Sequence, residues 1–363
     1  MNLELLKKAY SGRTVLVTGC SGFKGSWLSV WLTTLGAKVV GYALKPPTEP
    51  SMFRSLSLDK HIASIEADVR DEAALRQAFK TYKPEIVFHL AAQPLVFYSY
   101  LEPKETFETN VMGTVNVLEA VRYTGTVKSI VVVTTDKCYE NREWVYGYRE
   151  TDPLGGYDPY SASKGCAELV VNAFRSSFFT GSGIGLASAR AGNVIGGGDW
   201  AADRLLPDFA RAVVDNKPIR IRNPHSTRPW QHVLEPLFGY LLLGALLLDE
   251  PEKYSNAWNF GPRDTDVLSV DELLKLAIKE WGAGRVEVVG NVHPHEANLL
   301  KLDISKAEAY LKWHPVFSCH DAIKRTVEWY KRYYDQLYND VFLLTVEQIK
   351  EYEHYLTIGR KNK

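Results

Sequence analysis

The sequence is poor in cysteine, with four among 363 residues. Cys20, Cys138, Cys166 and Cys319 lie far apart and form no C-x-x-C. That excludes a disulfide framework and a paired-thiolate metal site, and it suits reduced thiols in a cytoplasmic protein. Net charge is also lacking: 43 Lys and Arg balance 43 Asp and Glu. No overall field therefore draws the chain to nucleic acid or to an acidic membrane, although a local basic patch can still hold a small anion. Long apolar runs are absent too. The longest, Leu237–Leu248, falls short of the roughly 20 residues that a bilayer needs and suits a buried or subunit-interface helix. Met1–Ser11 has no apolar signal-peptide core. No repeat or low-complexity stretch is visible.

What is present is an alternation of strand-like and helix-like segments. Strands are expected at Arg13–Thr18, Lys38–Leu44, Ile62–Ala67, Glu85–Leu90, Ser129–Thr134 and Ile184–Arg190. Helices are expected at Gly22–Gly36, Asp71–Tyr82, Pro103–Tyr123 and Pro159–Phe179. Fully apolar strands in a β-α-β alternation predict a doubly wound, Rossmann-like parallel sheet covered on both faces. After about Gly192 the pattern loosens. Short strands (Ile219–Arg222, Ala257–Phe260, Val286–Val289) separate helices (Leu205–Asp215, Ser269–Trp281, Asp321–Tyr334). This reads as a smaller α/β lobe. The expected division is a dinucleotide-binding domain over 1–190 and a substrate lobe over 191–363, with some segments of the second returning to the first.

The loop Thr18-Gly19-Cys20-Ser21-Gly22-Phe23-Lys24-Gly25 joins the first strand to the first helix. Its glycines allow close approach of a pyrophosphate, which then sits at the positive helix end. Asp68 and Val69 follow the third strand, where Asp68 suits either an adenine amino group or a helix cap. The second strand ends Tyr42-Ala43-Leu44-Lys45, without the carboxylate that usually binds a ribose 2′-hydroxyl. That leaves NAD and NADP both open, with Lys24 or Lys45 available for a 2′-phosphate.

Tyr160 and Lys164 are one helical turn apart and share a face. A tyrosine acting as base near neutral pH needs its pKa lowered by ~3 units, about 4 kcal/mol, which a neighbouring ammonium and a cationic nicotinamide can supply. A second Y-x-x-x-K match, Tyr100 and Lys104, has Pro103 inside the spacing, which disfavours a shared face. Thr135 follows the strand Ser129–Thr134 and is placed to bond the hydroxyl that Tyr160 deprotonates. Asp136 and Lys137 follow it directly.

Together Gly19-x-x-Gly22-x-x-Gly25, Asp68-Val69, Leu90-Ala91-Ala92, Thr135 and Tyr160-x-x-x-Lys164 resemble the extended short-chain dehydrogenase/reductase family over nearly the whole chain. Within it, Thr135-Asp136-Lys137-Cys138-Tyr139, Gly155–Tyr160, Arg190–Trp200, Arg222–His225, Arg228–Val233 and His293–Ala297 are similar to nucleotide-sugar 4,6-dehydratases, and in particular to the branch acting on CDP-glucose. The resemblance implies a lyase that supplies deoxysugars for O-antigen or other polysaccharides. It oxidises C4 of the hexose, removes water across C5 and C6, and returns the hydride to C6.

In this scheme Tyr160, Lys164 and Thr135 serve the oxidation and Asp136 is the C6 acid. Lys137 stands where related dehydratases carry a glutamate base. Two roles stay open for it: C5 base, or stabiliser of the C4 enolate. Cofactor contacts are expected from Gly19, Ser21, Gly22, Phe23, Lys24, Gly25, Asp68, Val69, Leu90, Ala91, Ala92, Tyr160 and Lys164. Substrate contacts are expected from Gln93, Asn193, Arg204, Leu205, Ile219, Arg222, Arg228 and His295, with Arg220 a weaker candidate. No metal, nucleic acid or membrane is implied. Family members pair through the two long helices, so a homodimer or homotetramer is expected, with Phe107, Val111, Val115, Leu118, Leu169 and Phe174 as the apolar faces. A nucleotide-sugar C4 epimerase is the main alternative, and a non-catalytic dinucleotide-binding regulator the second.

Overall fold

The computed structural model describes residues 2–202, 204–263, 266–289, 299–335 and 340–358. At its centre is a seven-stranded sheet. Six of the strands are β1 (Thr14–Thr18), β2 (Lys38–Ala43), β3 (Ala63–Glu66), β4 (Ile86–His89), β5 (Ser129–Val133) and β6 (Gly185–Ala191). The seventh, Ala257–Phe260, comes from the C-terminal half and lies beside β6. The order is Ala257–Phe260, β6, β5, β4, β1, β2, β3, and every pairing is parallel. Strand order reverses at β1, between β4 and β2. In such sheets ligands lie at the carboxyl ends beside this switch point.

All residues of β5 and β6 are buried, as expected when helices cover both faces. One face carries Leu75 and Phe79 from the helix Glu72–Tyr82, Val117, Leu118 and Val121 from Gly113–Thr124, and Val171 from Pro159–Phe174. The other carries Trp27 and Trp31 from Phe23–Thr34 and the leucines of Leu234–Asp249. That last helix holds the apolar run noted above, and burial is its explanation: Leu237, Leu241 and Leu243 are fully enclosed, each contributing about 1.5–3 kcal/mol. Gly239 permits the close seat, since a Cβ there would come within 2.4 Å of the Phe260 ring. The C-terminal helix Val341–Ile358 packs on the same side. Its Tyr352 hydroxyl donates to buried Glu235 at 2.8 Å, and Glu353 accepts from Trp31 Nε1 at 2.9 Å.

Two long helices expected from the sequence are each interrupted. Pro103–Tyr123 becomes Pro103–Phe107, a π-type turn at Glu108–Met112, and Gly113–Thr124. The wide turn carries Asn110 inward, where it accepts from Gln93 N at 2.8 Å and donates to Ser163 Oγ at 2.8 Å. Pro159–Phe179 likewise ends as a helix at Phe174 and continues as a π-type turn over Arg175–Phe179.

The smaller α/β region pairs Ile219–Ile221 with Val286–Val288, Thr227–Pro229 with Val267–Ser269, and Val194–Ile195 with Gln231–His232. Its core is Phe209, Leu273, Leu274, Ile323 and Val327. Capping boxes start two of its helices, Ser269 with Glu272 and Ser318 with Asp321, each satisfying donors that a helix start leaves free. No helix among the described residues is long and apolar enough to cross a membrane.

Candidate active site

Beyond Val133 the chain leaves the sheet in an extended conformation and closes a 3-10 turn over Asp136–Cys138. Thr135 shapes that turn. Its Oγ1 accepts from Lys137 N at 3.3 Å and donates to Asp136 Oδ1 at 2.8 Å. Facing it is the start of the helix Pro159–Phe174, capped by Asp158, which accepts from Ser161 N at 2.9 Å. The capped first turn delivers Tyr160 to the neighbourhood of Thr135, which acts on its phenol. One turn later Lys164 Nζ donates to Val133 O at 3.3 Å. Thr135 and Asp136 are each 7% exposed, Tyr160 8% and Lys164 6%.

Burial sets the electrostatics. It pushes the Tyr160 phenol up to about 12, with Asp136 adding to the rise while Thr135 and Arg204 oppose it. It pushes the Lys164 ammonium down to about 8, against the pull of the Glu168 carboxylate. The sequence suggested that a neighbouring ammonium would lower the tyrosine. Among the protein's own groups the cation that does so is Arg204, and it is outweighed by desolvation.

Behind the turn lies a buried polar network that the sequence did not reveal. Glu168 accepts from Ser188 Oγ at 2.7 Å and from Arg190 Nη2 at 2.7 Å, and Thr134 also donates to it. Arg190 Nη1 donates to the Tyr139 hydroxyl at 2.7 Å, which in turn donates to Asn259 Oδ1 at 2.8 Å. Asn259 donates to Tyr148 O at 2.8 Å. Residues from β6, the catalytic turn and the seventh strand thus fix the back of the site. Burial costs Glu168, but the Arg190 guanidinium and the hydroxyls of Thr134 and Ser188 hold its carboxyl below the usual range.

In front, Asp136 and Lys137 line a small cleft with Asn193, Arg228, Pro229 and Leu300. The second oxygen of Asp136 faces Gly192, where a Cβ would come within 3.0 Å of Oδ2. Arg204 is held by Asp199 at 2.7 Å and is coupled to Tyr160. Lys24 also belongs to this cluster. Burial, with Arg204 next, lowers it to about 8, and it is coupled to Asp136, Lys164 and Asp199.

The glycine loop fits a dinucleotide pyrophosphate. Gly22 precedes the helix Phe23–Thr34, which has no side-chain cap and no acidic residue in its first turn. Its first N–H groups and positive end are therefore available to an anion. Gly19, at φ +75°, lies against Ala91, where a Cβ would meet Ala91 N at 2.7 Å. Thr18 holds that contact by accepting from Leu90 N at 3.1 Å and Ala91 N at 3.2 Å while bonded to His89 Nδ1 at 2.7 Å. Thr18 and His89 are buried supports that no spacing pattern announced.

Several expected contacts lie elsewhere or are already committed. Lys24 sits among catalytic groups, and Lys45 pairs with Glu66 at 3.7 Å on the surface. Asp68 caps no helix. Its carboxylate binds Arg70 Nε at 2.9 Å and Arg70 N at 2.8 Å, and Asp71 is the cap of Glu72–Tyr82. Val69 packs on Gly113, and Ser21, Phe23, Gly25 and Ala92 flank the loop half-buried or buried. The Gln93 amide is occupied by Leu95 N at 2.6 Å and Thr106 Oγ1 at 2.9 Å. Ile219 points into the core and Leu205 packs against it. Arg220 pairs with Glu287 at 3.6 Å on the outer strand face, and Arg222 is exposed. Tyr100 and Lys104 lie on two different short helices. Leu118 belongs to the sheet core, not to an outer face. His295 lies outside the described residues.

Residues 16–326 match the family model described as GDP-mannose 4,6 dehydratase. The chain is 52% identical over 352 residues to a CDP-glucose 4,6-dehydratase of Salmonella typhimurium, covering 95% of this chain and 98% of that protein. It is 27% identical over 332 residues to a probable dTDP-glucose 4,6-dehydratase of Sinorhizobium fredii, covering 87% and 92%. Among solved structures it resembles the dTDP-glucose 4,6-dehydratase DesIV of Streptomyces venezuelae, with a TM-score of 0.75, 24% identity and coverage of 90% and 99%. The chain belongs to the GDP-mannose 4,6 dehydratase family, within the extended short-chain dehydrogenases/reductases that its motifs resemble.

Proposed function

We propose that this protein converts CDP-D-glucose to CDP-4-dehydro-6-deoxy-D-glucose, with NAD as cofactor. The observation that carries the reading is the acid beside the redox unit: Asp136 is hydrogen-bonded to Thr135, and both act on the Tyr160 phenol. An epimerase needs the Tyr160, Lys164 and Thr135 unit but no group to protonate a departing C6 hydroxyl. A regulator needs none of them. The match along almost the full length of the Salmonella typhimurium enzyme supports the cytidine substrate.

The glycine loop and the uncapped helix Phe23–Thr34 would hold the pyrophosphate of the cofactor, with Tyr160 and Lys164 beside its reactive end. When bound, NAD supplies the acceptor for the C4 hydride, which later returns to C6. Tyr160 takes the proton of the C4 hydroxyl, and Thr135 orients that hydroxyl. The C4 ketone acidifies C5, where Lys137 acts either as the base or as the cation facing the enolate. Asp136 protonates the C6 oxygen so that water leaves. Arg228 and Asn193 line the same cleft and bind the diphosphate and sugar, with Arg204 as a second cation. Arginine suits that task because its planar fork pairs with phosphate oxygens. The segment after Ala191 supplies these groups and serves as the substrate lobe.

Phe107, Met112 and Leu169 remain exposed on the helices expected to pair, which supports a homodimer or homotetramer. The four cysteines are free thiols, in keeping with a reducing cytoplasmic setting. The test is mass analysis after incubation with CDP-, dTDP-, GDP- and UDP-glucose. Loss of one water from CDP-glucose is the expected result. An unchanged mass with inverted C4 would establish an epimerase, and no turnover of any of the four would favour the regulator.

A further inference from the structure

We propose that Thr135 is a proton bridge that carries the proton collected by Tyr160 back to Asp136 in every turnover. The inference rests on the dehydration proposed above and follows from counting its protons. The hydride that leaves C4 returns to C6, so no electrons are gained or lost by the sugar. The C5 proton goes to a base and comes back to C5. The other two proton movements do not cancel. Breaking the C4 O–H bond leaves a proton on Tyr160. Breaking the C6–O bond takes a proton from Asp136, which departs in water. One turnover therefore ends with Tyr160 as the phenol and Asp136 as the carboxylate, the reverse of the state that began it. One proton must travel from Tyr160 to Asp136 before the next cycle.

The structure offers a single-residue path. Thr135 acts on both ends: it opposes the rise of the buried Tyr160 phenol, and its Oγ1 donates to Asp136 Oδ1 at 2.8 Å. With the hydroxyl pointing that way, Thr135 passes its hydrogen to Asp136 while accepting one from Tyr160. Two O–H bonds break and two form, with no change in the number of protons in the site. All three residues are buried, which disfavours a detour through bulk water. The Oδ2 atom of Asp136 faces Gly192, where the lack of a side chain leaves it room. Asp136 receives the proton on Oδ1, and rotation of its carboxyl then turns that O–H toward the cleft the residue lines. Tyr160 releases its proton most readily once hydride is back on C6 and positive charge beside the phenol is restored.

The experiment compares Thr135→Val, which keeps the shape, with Thr135→Ser, which keeps the hydroxyl. Product formation is followed in a single turnover, with enzyme in excess, and in steady state over a range of buffer concentrations. Thr135→Ser is expected to keep the wild-type ratio of the two rates. Thr135→Val slows the single turnover, because Thr135 also orients the C4 hydroxyl. Its kcat is expected to fall at least about tenfold further and to rise with buffer concentration, as the proton now returns through solvent. A Thr135→Val kcat that tracks its single-turnover rate at every buffer concentration overturns the bridge. On the unaltered enzyme, an indicator dye in weak buffer gives an independent reading. Internal return releases no proton pulse, and a pulse near one proton per site also overturns it. Absence of the 4-keto-6-deoxy product from the unaltered enzyme would instead remove the dehydration on which the inference rests.

Discussion

Glu168 and Arg190 meet at 2.7 Å with both side chains buried, one helical turn beyond Lys164. The pair has a structural and an electrostatic consequence. Removing one partner leaves an uncompensated buried charge, so Glu168→Gln is expected to cost about 3–5 kcal/mol in denaturant unfolding. Glu168 also raises the pKa of Lys164 against burial. In the variant the ammonium therefore loses its proton at lower pH, and the alkaline limb of kcat moves to lower pH. A stable variant whose alkaline limb stays in place would show that Glu168 does not act on Lys164.

Asp136→Asn separates oxidation from elimination. The amide cannot protonate the C6 oxygen, so turnover of CDP-glucose is expected to fall about 10²–10⁴-fold, with reduced cofactor accumulating on the enzyme. A CDP-glucose carrying fluorine in place of the C6 hydroxyl loses fluoride without a proton. It should recover most of the lost rate. Equal losses on both substrates would mean that Asp136 serves another step.

Lys137 lines the cleft beside Asp136, and Lys137→Ala distinguishes its two roles. If Lys137 is the base, incorporation of solvent deuterium at C5 stops along with elimination. If exchange at C5 survives while elimination slows, another group takes the proton and Lys137 stabilises the enolate.

Two buried histidines make the fold acid-sensitive. Burial lowers His89 to about 3, with Lys164 adding to the effect, and lowers His232 to about 3, with Arg325 adding. Both values lie below that of an unfolded histidine, about 6.5, so the unfolded chain binds more protons as pH falls. Stability is thus fully present above about pH 6.5 and declines toward pH 3, by up to about 1.4 kcal/mol per pH unit for each ring. Urea unfolding between pH 7.5 and about 5, with NMR of the ring carbons, checks this. Imidazole signals that titrate in the folded protein near pH 6.5 would contradict it.

The parts of this molecule that were legible in the sequence are those set by local spacing. Tyr160 and Lys164 announce themselves because one helical turn joins them. The glycine loop does so because it sits between a strand and a helix, and the buried strands because they are uniformly apolar. The parallel pairing of the sheet followed from the β-α-β alternation. What stayed hidden depends on partners distant in the chain. Glu168, Arg190, Tyr139 and Asn259 form one network only after a helix, two strands and a turn are assembled. Lys24 reads as a loop lysine until the fold places it beside Asp136 and Arg204. The π-type turn at Glu108–Met112 exists to bring Asn110 to Ser163 and Gln93, a purpose invisible in helical periodicity. Gln93 and Ile219 show side chains engaged in ways that spacing does not announce, one in the loop and one in the core.

The central claim is an internal redox cycle coupled to loss of water, and the most direct measurement follows one atom. CDP-glucose carrying deuterium at C4 is incubated with the enzyme, and the product is examined by mass and NMR. The expected product is one water lighter, is a ketone at C4, and carries the deuterium in its C6 methyl group. Deuterium retained at C4 of a hexose of unchanged mass would contradict the claim.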